Sequence, residues 1–60
     1  MNQTTEMYAI CTGRKERVYA IIEAPTVKVA TKWALQDYPE LRQVFTVTVR
    51  IATKNDADQL

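Results

Sequence analysis

Histidine is absent from the sequence, and cysteine and glycine each occur once. Without an imidazole the chain lacks the commonest general base and the commonest metal ligand. One thiol builds neither a zinc site nor an internal disulfide. A single glycine leaves no glycine-rich loop to cradle a phosphate. No paired acidic motif stands in a cleft-forming context either. Known catalytic chemistries need equipment of this kind, so the expectation is no enzyme, no cofactor, no metal site and no small-molecule substrate. Cys11, in the middle of the apolar run 7–12, reads as a buried, inert thiol rather than a nucleophile.

Long hydrophobic runs are missing as well. None approaches the ~20 residues that a spanning helix needs. Residues 1–6 are polar and show no charged segment leading into an apolar one, so no signal peptide and no membrane contact are expected. A lone cysteine fits a reducing compartment, and a cytoplasmic location follows as an expectation. Net charge is only +1. Proteins that hold duplex DNA through its phosphates are usually strongly basic, so overall charge favours a protein partner, with a local patch steering the encounter. The chain of 60 residues suits one domain. A chain this short buries only roughly 60% of its unfolded surface. With disulfide and metal excluded, oligomerisation or a compact helix-on-sheet core remains to stabilise it.

What is present is clear local patterning. Residues 7–12 form an apolar, partly β-branched run, followed by Gly13-Arg14-Lys15-Glu16 and a second such run over 17–23. Gly13 supplies the positive φ that a hairpin turn requires. Pro25 ends the second strand, and Thr26 is suited to cap a helix because its hydroxyl accepts from an amide further on. The predicted helix runs from 27 to 37 or 38, with Val27, Ala30, Ala34 and Tyr38 on one side and Lys28, Lys32 and Gln36 opposite. Pro39 stops it. Residues 44–51 alternate strictly, with Phe45, Val47, Val49 and Ile51 on one face. The start, 1–4, is expected to be a loose polar lead, and 54–60 to be polar and frayed, leaving order over about 5–53.

Strand, strand, helix, strand makes an α+β domain of type β-β-α-β. The returning helix places the third strand beside the first, antiparallel, in sheet order 2-1-3, with the helix on one face. The predicted core holds Ile10, Val18, Ala20, Ile22, Phe45, Val47 and Val49 against Val27, Ala30 and Ala34, joined by Tyr8.

Three surfaces are left for partners. One helix shields one sheet face, so the other should show Tyr19, Ile21, Thr46, Thr48 and Arg50, joined by Met7 or Ala9, a mixture that interfaces favour; the alternative is an ordinary solvated face. The third strand offers an unpaired edge for a homodimer or for β-augmentation; the alternative is that the twist or the polar C-terminal tail covers it. Finally, the topology brings the hairpin tip to the helix exit, so Arg14, Lys15 and Arg17 approach Arg42 beside Tyr38 as an acid-binding patch, diluted by Glu16 and Glu40. A solvated turn is the alternative there. Trp33 falls at the margin of the core face beside Val29, where such a ring is more often a core-edge residue, although a half-wet ring can anchor a partner.

The arrangement Ile22-Glu23-Ala24-Pro25-Thr26, Ala30, Ala34, Tyr38-Pro39 and Phe45-Thr46-Val47-Thr48-Val49-Arg50 resembles small bacteriophage-encoded inhibitors of host machines. These are the podophage inhibitors of bacterial RNA polymerase and the small type I anti-CRISPR proteins, and the similarity covers roughly residues 8–50. It implies a phage-encoded, non-catalytic inhibitor in the host cytoplasm, acting stoichiometrically on a host protein or protein–nucleic acid complex. A small nucleic-acid-binding protein and a structural dimerisation module are the competing classes.

Overall fold

A computed structural model describes residues 4–59. The expected polar lead falls partly outside them, at residues 1–3. Glu6–Thr12 (β1) and Arg17–Ala24 (β2) pair antiparallel. Their turn works as the sequence requires: Gly13 has φ 78°, and the Glu16 amide donates to its carbonyl at 3.1 Å. Glu16 also stands at positive φ, 50°, in the left-handed region that disfavours a side chain.

The helix Val27–Asp37 (α1) starts where Thr26 predicts, with the threonine Oγ1 accepting from the Val29 amide at 3.2 Å. It ends at Tyr38, whose amide donates to the Ala34 carbonyl at 2.8 Å. Pro39 then opens a 3-10 turn, Pro39–Gln43, instead of a simple loop. Val47–Ile51 (β3) completes the sheet antiparallel to β1, in the expected order β2-β1-β3. A short second helix, Lys54–Asp58 (α2), follows.

The core lies between α1 and the sheet. One cluster joins Ile10, Ala20, Ala34 and Leu41, with Ile22, Tyr38, Val47 and Val49 packed around it. A second joins Tyr8, Ala24 and Ala30. Alanines on the facing helix let its backbone approach the sheet closely.

Four sequence expectations are corrected. Ile10 pairs with Ala20 but Cys11 pairs with Val18. Tyr19 is therefore an extra residue, a β-bulge, and a bulge shifts the alternation by one. Val18 leaves the predicted core and shares the face of Cys11, while Tyr19 leaves the open face and turns its ring towards Tyr38. Secondly, Phe45 is not a core residue: it is 107% exposed. The alternation runs through it, but Thr12 pairs with Val47, and beyond Thr12 the partner strand has become the turn. Phe45 thus lies past the end of the sheet, and β3 begins at Val47 instead of residue 44. Its predicted place is taken by Leu41, 1% exposed. Thirdly, Val27 is half exposed and belongs to neither cluster, because it opens the helix outside the turns that carry Ala30 and Ala34.

The fourth correction concerns the C-terminal segment. Instead of fraying, residues 54–58 fold as α2 behind a capping box: Asp56 N–H donates to Thr53 Oγ1 at 3.3 Å, and Thr53 N–H donates to Asp56 Oδ2 at 2.7 Å. Arg50 lies opposite Ala9 on the sheet face away from α1, and it grips Asp56 through two bonds of 2.6 and 2.8 Å. This fork-to-fork pair holds α2 across that face. Ala9 and Cys11 on that face are both 0% exposed, so the second face is covered at its centre.

Candidate functional site

The end of the sheet that carries the hairpin turn collects most of the candidate residues. Arg14 and Lys15 lie on the turn itself, and Arg17 is the first residue of β2. Arg42 lies on the 3-10 turn, which joins the exit of α1 to the start of β3 and so reaches the same end. All four are exposed, and among the described residues none is in an ion pair.

Two links fix the segment 39–46 against the hairpin. Gly13 N–H donates to the Thr46 carbonyl at 3.0 Å. Tyr19 Oη–H donates to Glu40 Oε2. That bond holds the phenol proton, so Tyr19 ionises above the ordinary tyrosine range, and it holds Glu40 below the ordinary carboxylate range. Tyr19 meets Tyr38 edge-on, with ring centroids 5.4 Å apart and planes at 85°. Tyr38 is itself packed against the first core cluster. Both tyrosines, expected as partner-binding residues, thus brace the site: Tyr38 props Tyr19, and Tyr19 ties down the turn bearing Arg42.

Phe45 projects from this end, next to Thr46 and three residues beyond Arg42. The sequence reading placed it in the core and so missed it as a surface feature. Its ring lies wholly in solvent, whereas Trp33 is 41%, Tyr19 39% and Tyr8 7% exposed. A usable signal did exist: the turn at Gly13 limits how far β3 can be paired, and counting back from it leaves Phe45 unpartnered.

Arg50, expected on an open sheet face, is separated from this end and is engaged. Hydrogen bonds from its guanidinium hold the Asp56 carboxyl well below the usual carboxylate range, and the same bonds raise Arg50 further above its own. Burial on that face pushes the Cys11 thiol upward, away from thiolate chemistry at neutral pH. Ile21 and Thr48 are partly buried on that face, and Met7 is half exposed. Trp33 is 41% exposed at the edge of α1, as its helical position predicts.

No helix among the described residues is long and apolar enough to cross a membrane. Compared with protein-family models, curated proteins and solved structures, the chain matches none.

Proposed function

We propose that this protein is a non-catalytic binding protein that acts stoichiometrically on a host nucleic-acid machine, in the manner of a phage-encoded inhibitor of RNA polymerase or of a CRISPR surveillance complex. The observation that carries the binding reading is Phe45, a whole aromatic side chain in solvent at the end of the molecule that also bears Arg14, Lys15, Arg17 and Arg42. Aromatic and arginine side chains dominate the energetics of protein interfaces. The host machine is what the resemblance of residues 8–50 implies. Titration of the purified chain against bacterial RNA polymerase and against a type I surveillance complex tests it. Saturation at one copy per complex, with loss of transcription or of target-DNA binding, is the expected result. Binding to neither complex discards the host-target reading.

A homodimer is the second reading, favoured by the position of β3 at the sheet edge with Ile51 half exposed. The paired part of that edge is five residues, Val47–Ile51, shorter than the alternation suggests. Sedimentation over a wide concentration range decides this reading: a monomer throughout, with a melting temperature insensitive to dilution, removes it.

A further inference from the structure

We propose that the hairpin end docks onto an acidic protein surface by inserting Phe45 into an apolar pocket, with Arg14, Lys15, Arg17 and Arg42 pairing with carboxylates around it. This deepens the binding reading above and rests on it. The first ground is that Phe45 has no structural employment. It belongs to neither core cluster and is fully exposed. Its position is nevertheless fixed on both sides. Val44 N–H donates to the Leu41 carbonyl at 3.1 Å, and the Thr46 carbonyl accepts from Gly13 at 3.0 Å. Leu41 in turn is sealed into the core. Backbone held in this way loses little freedom on binding, so the ordering cost is confined to the ring's own two χ angles, which favours it as an anchor.

The second ground is charge. Four cations stand at this end, and among the described residues the one ion pair, Arg50–Asp56, lies elsewhere. They are free to meet carboxylates, and a rim of such pairs both speeds encounter and excludes wrong partners.

Nucleic acid is the rival occupant, and three features disfavour it. Glu16 lies on the same turn as Arg14 and Lys15, and Glu40 on the same turn as Arg42, so a continuous phosphate backbone would meet anions between the cations. Net charge is only +1. Sheets and grooves that hold single strands stack successive bases on several rings, whereas Tyr19 and Tyr38 are turned into each other and Phe45 stands alone.

The test is chemical-shift mapping of the full chain with three probes: a random glutamate–tyrosine copolymer, polyglutamate and oligothymidylate. The expected result is that the copolymer binds more tightly than polyglutamate, with shifts confined to residues 13–17 and 42–46. Phe45→Ala should weaken the copolymer at least about tenfold and leave polyglutamate unchanged. The double change Arg14→Glu with Arg42→Glu should weaken both acidic polymers. The proposal is overturned by absence of copolymer binding, by shifts centred on another surface, by an unchanged affinity in Phe45→Ala, or by oligothymidylate binding more tightly than the copolymer. Mapping on the unmodified chain keeps the test valid whatever the variants do to folding. The probes are synthetic, so failure here removes the docking surface, while failure to bind either host complex removes the host-target reading.

Discussion

Replacing Leu41 with alanine should strongly destabilise this protein, and replacing Phe45 with alanine should barely affect it. Leu41 is 1% exposed and sits in the cluster with Ile10, Ala20 and Ala34. Leucine-to-alanine changes in such sites cost about 2–5 kcal/mol, the upper part of the range applying where the surroundings cannot collapse into the void. Two of its cluster neighbours are alanines, whose methyl groups cannot swing inward, so a loss of about 3 kcal/mol or more is expected. For a domain of 60 residues the whole stability is about 3–9 kcal/mol. The melting temperature should fall by about 12–24 °C, at roughly 4–8 °C per kcal/mol for a domain this small. Phe45, in solvent, should change stability by no more than about 0.5 kcal/mol. If it were the core residue that strand alternation suggests, its loss would cost about 3–5 kcal/mol. Urea unfolding followed by far-UV circular dichroism on both variants measures the difference directly. A small loss in Leu41→Ala together with a large one in Phe45→Ala would refute the assignment of the core and the reasoning that ends the sheet at Val47.

Acid should weaken the protein in a defined direction. The Asp56 and Glu40 carboxyls are held below the ordinary carboxylate value, the first by Arg50 and the second by Tyr19. In the unfolded chain they take up protons first, near pH 4. Their contribution is therefore complete above that value and lost progressively as pH falls below it. Melting curves between pH 2 and 6 should show this limb, and Asp56→Asn should flatten it; an identical acid limb in the variant refutes the role of the pair. Cys11 is fully buried beside Arg50, with its thiol pushed upward by burial. Alkylation by iodoacetamide in native buffer should be slow, and more than about tenfold faster in Arg50→Ala, where α2 loses its anchor and local opening exposes the thiol. Equal rates in the two proteins would show that α2 does not guard that face. Glu16 occupies a left-handed conformation at φ 50°. Because a side chain there costs about 1–2 kcal/mol, Glu16→Gly should stabilise the fold by about 0.5–1 kcal/mol after the added freedom of the unfolded chain is subtracted. A loss of stability in urea unfolding would contradict the turn geometry.

The features legible in the sequence are those whose physics is contained within a few neighbouring residues. Gly13 marks the hairpin because positive φ is cheap only for glycine. Thr26 and Pro39 bracket α1 because one offers an acceptor to orphan amides and the other blocks continuation. Given those elements, the handedness and shortness of connections leave β2-β1-β3 as the simple order, and the sheet has it. Even α2 had a local signal, since Thr53-Lys54-Asn55-Asp56 has the spacing of a capping box, although five residues of helix cannot persist without an outside anchor. The grouping of the basic residues at one end was also legible, because it follows from topology alone. What the tertiary structure decided depends on residues distant in the chain. The bulge at Tyr19 comes from the register of β2 on β1 and moves Val18 and Tyr19 to opposite faces. Arg50 is committed by Asp56 on an element that must first fold back over the sheet. Phe45 and Leu41 exchange places because alternation along a strand says which residues share a face, but only the length of the partner strand says where that face ends.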